Sequence, residues 1–480
     1  MSSETKLRKV VINPVTRIEG HAKVTIRFNE EGKVETARMH IVEFRGFERF
    51  VLGRLYWEAP VIVQRLCGIC PVSHLLCAAK AMDMIVGADK LTPTAEKMRR
   101  LLHFGQIYQS HALHFFHLSA PDLLLGYDAD PAIRNVIGLI KKDKELATRA
   151  VLMRKYGQEV IKATAGKKIH GNGAIPGGVN KNLTIEERDY LLKDIDKMIE
   201  WAVDGLQLYK KLYKSDIERL SKLGSFESNF VSIVRDDGAL EMYDGKLRAK
   251  DPDGKIIFDK VEPIDYLDYI REGVRNWSYM KFPFIYKLGQ EKGWYRVGPL
   301  ARLNNCDFID SPIAEKERQE FMELGGGRPV HSTMAYHWAR LIEVVHAAEK
   351  MKELLNDPDL QGTDLVVTGK RRNEGVGILE APRGTLFHHY RVGDDDKITM
   401  ANLIVSTTNN NQPMNESVRR VAEDYLEGQE ITEPLLNLVE VAIRAYDPCL
   451  SCATHAVGQM PIKLTLEDAN GNIIDEKVRG

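Results

Sequence analysis

The sequence predicts an α+β protein that is predominantly helical, with long central helices, an N-terminal β-hairpin region and a β-rich insert. Three observations lead to this fold class. Long segments repeat apolar residues at helical spacing, residues 22–28 alternate apolar and polar side chains, and three Asp-Gly turns fall within residues 224–297. A chain of 480 residues can bury a large core and commonly divides into two or three domains.

Composition excludes several classes of function. Hydrophobic residues make up 44% of the chain, charged residues 28%, and the net charge is -1. These values are ordinary for a globular protein and give no reason to expect nucleic acid or an anionic membrane as a partner. The first ten residues are polar and basic, and charged side chains interrupt the most apolar run, residues 59–88. We therefore predict no signal peptide, no membrane span and a cytoplasmic location.

The N-terminal region, predicted as residues 1–60, begins with a hairpin. Apolar residues from Ala22 to Phe28 alternate with polar ones, residues 29–32 make a turn, and residues 34–41 return. Such alternation indicates strands with one buried face.

Residues 61–223 are predicted to form a helical core that carries the first pair of cysteines. Pro71 fits the first position of a helix, and Thr184 with Glu187 makes a capping box in front of a long amphipathic segment. The predicted helices run over residues 71–86, 93–118, 131–156 and 185–223.

The second half of the chain is predicted to contain three further parts. The Asp-Gly turns lie between short β-branched and aromatic runs, which indicates a β-rich insert over residues 224–300. Residues 301–455 read as a helical and mixed region that carries Arg383 and the second pair of cysteines. The tail, residues 456–480, has the pattern of a terminal hairpin with its turn at Asn470 and Gly471.

Two pairs of cysteines stand out among the six in the chain. Cys67 and Cys70 form one Cys-x-x-Cys pair, and Cys449 and Cys452 form the other. So few cysteines in so long a chain do not make a disulfide framework, and paired motifs of this kind more often bind metal or do redox chemistry. Cys70 lies at the start of a predicted helix, where the helix dipole favours a thiolate.

The residues alone leave the metal open. Four thiolates suit a structural zinc ion, an iron–sulfur cluster or nickel, whereas a redox disulfide normally needs only one pair. Structural zinc usually joins ligands within one small module, but almost four hundred residues separate these pairs. The prediction at this point is a reactive four-thiolate transition-metal site.

Seven short motifs give the chain a more specific resemblance. Together, and in this order, they resemble the large, catalytic subunit of nickel–iron hydrogenases, in particular the cytoplasmic, bidirectional branch that is linked to NAD or another soluble acceptor. The motifs are Arg17-Ile-Glu19-Gly-His21, Arg45-Gly-Phe-Glu48, Arg65-Leu-Cys67-Gly-Ile-Cys70 with His74, Pro176-Gly-Gly, Gly298-Pro-Leu-Ala-Arg302-Leu-Asn304, Glu380-Ala-Pro-Arg383-Gly384 and Asp447-Pro-Cys449-Leu-Ser-Cys452 with His455.

The resemblance implies a nickel–iron centre. Cys67 and Cys449 would be terminal ligands on nickel, and Cys70 and Cys452 would bridge nickel to iron, which in this family carries carbonyl and cyanide ligands. Four thiolates and two cyanides exceed the charge of two divalent metals, so a cation is needed nearby.

Several residues acquire roles by the same resemblance. Arg383 is the expected cation, Asp447 is expected to face the metals with it, and His74 to donate to a bridging sulfur. Glu19 is expected to carry onward the proton that Cys449 first accepts. A surface ion pair is the commoner explanation for a glutamate beside an arginine, and the complete motif favours the relay.

A second cation site is also implied. Glu48 and His455 match ligands of a magnesium-type ion, completed by a backbone carbonyl from residues 401–405. The alternative for Glu48 is a solvated charge at the start of a helix.

The resemblance implies partners as well. The chain lacks cysteines for further clusters, so an iron–sulfur small subunit is expected, with further electron-transfer subunits linked to NAD(P) or another acceptor. A maturation protease is expected to remove residues 456–480. Two rival functions remain: a nickel-free subunit like those of respiratory complexes, serving quinone chemistry, and a zinc-stapled scaffold.

Overall fold

The N-terminal sheet has the predicted alternation. The computed structural model describes residues 9–455, 462–467 and 473–479. Three antiparallel strands pair in the order β1-β2-β3, with Ala22 opposite Ile41. Their bounds are β1 (Lys9–Ile12), β2 (Ala22–Phe28) and β3 (Val34–Ile41). The side chains of Ala22, Val24, Ile26 and Phe28 are buried, because every second residue of β2 points to the same, buried face of the sheet.

The helical core follows this sheet. Its helices are α1 (Phe47–Phe50), α2 (Ala59–Val63), α3 (Pro71–Ile85), α4 (Pro93–Leu113), α5 (Ala120–Leu125), α6 (Val136–Lys142), α7 (Lys144–Ala165), α8 (Ile185–Ser215) and α9 (Ile217–Leu220). Short strands β4 (Ala174–Ile175) and β5 (Gly178–Val179) separate α7 from α8. The helix α3 begins at Pro71 as predicted, and α8 has the predicted capping box of Thr184 and Glu187.

Among the central helices, α4 packs against α7 and against α14 (Ala335–Leu355), and α8 packs against α14 and α7. The helices α4 and α7 approach closely at Gly105 and Gly157. A Cβ atom at Gly157 would lie 2.6 Å from the carbonyl oxygen of Gly105, so this crossing requires glycine. The long, buried helices confirm the predicted predominance of helix.

Three predicted helix bounds were wrong. The helix expected over 131–156 is two helices, because the Asp143 side chain accepts a hydrogen bond from the Leu146 amide and starts α7 anew. The helix expected to reach 223 breaks at Asp216. The segment His114–Ser119 is a π-helix, so the predicted helix over 93–118 is not α-helical throughout.

The insert is rich in strands, as predicted. Its strands are β6 (Asn229–Val234), β7 (Lys246–Lys250), β8 (Ile256–Val261), β9 (Ile270–Gly273), β10 (Phe282–Ile285) and β11 (Tyr295–Arg296), with the short helices α10 (Tyr266–Tyr269) and α11 (Gly289–Lys292). One sheet has the order β11-β6-β7-β8, and β9 pairs with β10 as an antiparallel hairpin. The fold class is therefore confirmed, while the domain boundaries stay a prediction.

The last part combines helices with a three-stranded antiparallel sheet. Its helices are α12 (Pro299–Asn305), α13 (Pro312–Glu323), α14, α15 (Ser406–Asn409), α16 (Asn411–Tyr425) and α17 (Glu433–Ala445). The sheet consists of β12 (Glu374–Ala381), β13 (Gly384–Val392) and β14 (Ile398–Ile404), and β15 (Ile462–Glu467) pairs with β16 (Ile473–Arg479) as the terminal hairpin. The turn expected at Asn470 and Gly471 lies outside the described residues.

Two contacts bring the ends of the chain together. The helix α3 lies on β12 and β13, which places its N-terminus beside the loop between these strands. Glu19 and Cys449 form a parallel β-bridge. Among the helices of the described residues, none is both long and apolar enough to cross a membrane.

Candidate metal centre

The four paired cysteines form one buried cluster. Their sulfur atoms all lie within 4.8 Å of one another. The Cys67 and Cys449 sulfurs are 3.3 Å apart, and those of Cys449 and Cys452 are 2.8 Å apart. The exposed fraction of these residues is 6% or less. The two ends of the chain therefore deliver thiols to a single pocket, as the motifs predicted.

The first pair is held at the N-terminus of α3. Cys70 is the residue before the first helical residue, Pro71, and Cys67 lies one turn earlier. The amides of Ile69 and Cys70 both donate to the Cys67 sulfur at 3.2 Å. These donors and the helix dipole stabilise negative charge on that sulfur.

The second pair is held by the N-terminal segment. The Leu450 amide donates to the Glu19 carbonyl at 3.1 Å, and the Glu19 amide donates to the Pro448 carbonyl at 3.3 Å. The backbone of Gly20, with φ of +82°, lies so close that a Cβ atom there would be 2.9 Å from the Leu450 Cβ. The glycine of the Arg-Ile-Glu-Gly-His motif therefore permits this contact.

The two pairs of thiols differ in pKa. Hydrogen bonds with neighbouring thiols hold the pKa of Cys67 well below its usual value and lower the pKa of Cys70 to about 6. For both groups the hydrogen bond with Cys449 has the largest effect. Burial raises the pKa values of Cys449 and Cys452 well above theirs. A metal that binds all four sulfurs must therefore displace protons from the C-terminal pair.

Arg383 and Asp447 form an incompletely paired ion pair at the cluster. Arg383 lies in the two-residue loop between β12 and β13. Its Nε donates to the Asp447 carbonyl at 2.6 Å and its Nη2 to Asp447 Oδ1 at 3.0 Å. Arg383 Nη1 and Asp447 Oδ2 are buried and have no hydrogen-bond partner among the described residues. Buried polar atoms are seldom left unpaired, so this pair has spare capacity for a ligand.

Asp447 also has an unusual environment. Its φ of +55° is in the left-handed region, which aspartate tolerates better than most residues. Burial raises its pKa to about 6 although the charges of Arg383 and Arg340 oppose this. Arg340, on α14, is fully buried and its Nη2 donates to the Ala445 carbonyl at 2.9 Å. Arg340 lies in none of the seven motifs, so the sequence did not suggest this second cation.

Glu19 lies beside the second pair of cysteines. Its Oε2 accepts a hydrogen bond from the Ser451 amide at 3.1 Å. With the bridge to Cys449, this bond fixes both the backbone and the carboxylate against residues 448–451. The ion pair that was the alternative explanation does not occur, because Arg17 binds Asp122 instead.

His74 has a partner that the sequence did not suggest. It is buried on α3, and its Nδ1 lies 3.2 Å from His388 Nε2. His388 Nδ1 lies in turn 2.8 Å from the hydroxyl of Tyr390. The expected bond from His74 to a bridging sulfur stays a prediction.

The expected magnesium site contains an ammonium group. Glu48 Oε1 accepts a hydrogen bond from the Leu403 amide at 2.8 Å and another from Lys281 Nζ at 3.2 Å. His455 Nε2 lies 3.0 Å from the Cys452 carbonyl oxygen, and its Nδ1 is buried with no partner in the part of the chain that the structure describes. Lys281 lies in no motif of the sequence, so only the fold could reveal it.

The other two cysteines are apart from the cluster. The Cys77 thiol donates to the carbonyls of Gly377 at 3.2 Å and Leu386 at 3.3 Å. Burial raises the pKa of Cys306 to about 12. Both thiols are buried, and burial keeps them protonated at neutral pH, so they act as small apolar groups.

The chain matches two families by sequence. Residues 45–132 and 242–455 match the nickel-dependent hydrogenases, and residues 9–44 match a family described as HoxL-like. The β subunit of the NAD-reducing hydrogenase HoxS from Cupriavidus necator is 50% identical, over 98% of this chain and 100% of the relative. The α subunit of sulfhydrogenase 2 from Pyrococcus furiosus is 28% identical, over 93% and 99% respectively.

Solved structures agree with these matches. A chain of an NAD+-reducing NiFe hydrogenase, crystallised in the H2-reduced state, has a TM-score of 0.92 and 55% identity over 93% of this chain and 99% of its own. A reduced, active form of the Ni-Fe-Se hydrogenase from Desulfomicrobium baculatum has a TM-score of 0.76 and 25% identity over 93% and 100%. The paired thiols, the motifs around them and these similarities show that the chain belongs to the nickel-dependent hydrogenases, as a large subunit.

Proposed function

We propose that this chain binds a nickel–iron centre on Cys67, Cys70, Cys449 and Cys452 and cleaves H2 reversibly into protons and electrons. The observation that carries the proposal is the cluster of four buried sulfur atoms within 4.8 Å, supplied by both ends of a nickel-dependent hydrogenase chain. Such a centre, when bound, supplies the heterolytic cleavage of H2.

The residues around the cluster fit this group. Soft thiolates suit nickel and iron, and Cys67 with Cys449 would be the terminal ligands while Cys70 with Cys452 bridge the metals. Carbonyl and cyanide would complete the iron. The excess negative charge needs cations and donors nearby, and the unpaired Nη1 of Arg383 supports this, as does the second buried guanidinium, Arg340. Asp447 orients Arg383 through two hydrogen bonds.

Metal analysis and infrared spectroscopy of the assembled enzyme test the proposal. We expect one nickel for each large subunit, more iron than nickel because the proposed small subunit also holds iron, and infrared bands of iron-bound carbonyl and cyanide. In Cys449→Ser the nickel content and H2 oxidation should be lost, because serine offers no thiolate. Cys77→Ser is the matched control and should keep both, since Cys77 binds only backbone carbonyls. Zinc alone, or no metal, in the unaltered enzyme would instead support one of the two rival functions.

Glu19 is proposed to move the proton away from the site. The Cys449 sulfur accepts it first, and the Glu19 carboxylate, held on the Ser451 amide, takes it onward. Glutamine has the same shape and cannot carry the proton.

In Glu19→Gln we therefore expect unchanged nickel content and infrared bands, with H2 oxidation and H/D exchange reduced by about 10²-fold or more, the usual contribution of a positioned acid–base group. The control is Glu43→Gln, because Glu43 is bonded to His21 near the surface. Undiminished exchange in Glu19→Gln would remove Glu19 from the proton path.

Electrons are proposed to leave through another subunit. The six cysteines of the chain comprise the four of the cluster, Cys77 and Cys306, so none remains to hold an iron–sulfur cluster. An iron–sulfur small subunit and further subunits linked to NAD(P) or another soluble acceptor would complete the enzyme in the cytoplasm. The relative from Cupriavidus necator, a subunit of an NAD-reducing hydrogenase, supports this choice of acceptor.

Residues 456–480 are proposed to be a maturation extension that a protease removes. The family match ends at His455, which supports a functional boundary at this residue. The intact mass of the chain in the nickel-loaded enzyme checks this. A mass that still includes the tail would contradict it.

A further inference from the structure

A buried ammonium group lies where the sequence motifs predicted a divalent cation. Lys281 Nζ is 3.2 Å from Glu48 Oε1, 3.2 Å from Glu272 Oε2 and 3.3 Å from Asn402 Oδ1. The side chains of Lys281, Glu48 and Glu272 are 15%, 13% and 14% exposed. Three different parts of the chain thus meet around one lysine: α1, the hairpin β9–β10 and strand β14.

The three donors of the ammonium group all have acceptors, while the second oxygen of Glu272, Oε1, is buried and has no partner among the described residues. An ammonium has three N–H donors and no acceptor, and Lys281 has three acceptor side chains around it. Glu48 and Asn402 are each oriented by a second hydrogen bond, and Glu272 lies on strand β9. Glu48 accepts from the Leu403 amide at 2.8 Å, and the Asn402 amide nitrogen donates to the Tyr266 hydroxyl at 3.0 Å, which turns its oxygen toward the lysine.

The charges at this site suit an ammonium without a further ion. A divalent ion beside Lys281 would place three positive charges against the two carboxylates of Glu48 and Glu272, whose side chains are 13% and 14% exposed.

The geometry also disagrees with magnesium. Mg²⁺ needs oxygen ligands at about 2.0–2.1 Å in an octahedral arrangement. The Glu48 and Asn402 oxygens here surround a nitrogen at hydrogen-bonding distance, 3.2 Å and 3.3 Å. An ion could bind between these oxygens only after the lysine side chain had left.

We propose that Lys281 is the resident cation of this site, so that the Glu48 and Glu272 carboxylates bind an internal ammonium in place of a divalent metal ion. This inference does not depend on the proposed reaction, since it concerns which cation neutralises Glu48 and Glu272.

The backbone of Lys281 is anchored beside the cysteine cluster. The Asn411 amide nitrogen donates to the carbonyls of Met280 and Lys281 at 3.0 Å each. Met280 pairs with Thr454, the residue before His455, in an antiparallel bridge. The β-rich insert therefore supplies the cation and is fastened to the C-terminal motif, two residues beyond Cys452.

His455 is compatible with this arrangement. Its Nε2 faces the Cys452 carbonyl, so that nitrogen carries the proton and Nδ1 keeps its lone pair. Nδ1 is the atom that a divalent ion would require, which makes metal content the deciding measurement.

The first experiment uses the assembled, nickel-loaded enzyme without substitution. After passage through buffer with EDTA, its magnesium, manganese and calcium are measured with its nickel and iron. We expect full nickel and iron, at least about tenfold less of any other divalent ion than nickel, and the same Tm with EDTA as with Mg²⁺. One magnesium-type ion for each nickel would overturn the proposal. If nickel were missing, the proposed function would be contradicted. The magnesium, manganese and calcium contents would still decide whether Lys281 is the cation of this site.

The second experiment removes the ammonium. In Lys281→Met, Glu48 and Glu272 lose their internal cation, and we expect the assembled enzyme to gain up to one Mg²⁺ or Mn²⁺ for each chain and a Tm that rises with added Mg²⁺. The matched control is Lys210→Met, because Lys210 also binds two glutamates, Glu317 at 2.7 Å and Glu320 at 2.6 Å. If both variants lost stability and neither responded to Mg²⁺, the result would contradict the proposal that Lys281 is the cation of this site. If Lys281→Met does not assemble, Glu272→Gln takes its place in the experiment. This variant keeps the ammonium of Lys281, so we expect it to bind no divalent ion.

Discussion

Two buried arginines, Arg302 and Arg383, differ in how completely they are paired. Arg302 donates to both oxygens of Glu343 at 2.6 Å, to Glu380 Oε2 at 2.8 Å and to the carbonyls of Ala381 at 2.9 Å and Pro382 at 3.2 Å. All five of its N–H groups therefore have acceptors. Arg383 follows Pro382 directly and lies at the cysteine cluster, and its Nη1 has no partner within residues 9–455, 462–467 and 473–479.

The difference separates a structural group from a group with capacity left for a ligand. The network of Arg302 joins α12, α14 and the β12–β13 hairpin, and His111 on α4 adds a bond to Glu343 at 2.8 Å. This network fixes the hairpin on which Arg383 stands. Arg383 is thus positioned by a satisfied neighbour while its own donor remains available to the proposed centre.

The largest effect is expected for Arg302→Met. The substitution leaves Glu343 and Glu380 buried without their cation, and breaking such a pair costs about 3–5 kcal/mol. That is a large part of an ordinary stability of about 5–15 kcal/mol. We expect little folded protein and a much lower Tm, measured by expression and thermal unfolding. A variant that folds and melts like the unaltered chain would show that the network is not structural.

A loss of activity with smaller loss of stability is expected for Arg383→Met. Its partner Asp447 can take up a proton, because burial raises the pKa of Asp447 to about 6. H2 oxidation should fall by about 10²-fold or more, the usual cost of removing an electrostatic group from a site. Arg302→Met is the matched comparison, since it removes the same side chain from an equally buried position. If Arg383→Met lowered the Tm as much as Arg302→Met, the distinction between the two arginines would fail.

The smallest effect is expected for Thr385→Val. The Thr385 hydroxyl donates to Glu380 Oε1 at 2.7 Å, and Glu380 keeps its bonds to Arg302 and the Ile233 amide. Loss of this single bond should cost about 1–3 kcal/mol, measured as a modest fall in Tm with normal H2 oxidation. A large loss of activity at unchanged Tm would place Thr385 closer to the reaction than its contacts indicate.

Local patterns sufficed for much of the fold. The alternation from Ala22 to Phe28, the proline at the start of α3 and the capping box of Thr184 and Glu187 act within a few residues, so the sequence contains them directly. The break at Asp143 was missed, because a capping aspartate within a helical pattern is easily taken for a surface residue.

Of the residues of the candidate site, only those that lie within a sequence motif were predicted. The four cysteines were found by their spacing, and Arg383 and Asp447 by the resemblance. His388, Arg340 and Lys281 come from elements far away in sequence. Their contacts arise from packing, which no short pattern records.

The separation of the two cysteine pairs has a consequence for biosynthesis. Cys67 and Cys449 are 382 positions apart, and a ribosome that adds roughly 5–20 residues each second takes about 20–80 s to make that length. For this interval the first thiols have been made and the second have not. A cofactor that needs all four sulfurs can therefore enter only after translation has passed the last cysteine, and the cell must keep zinc and oxidants from the early pair until then.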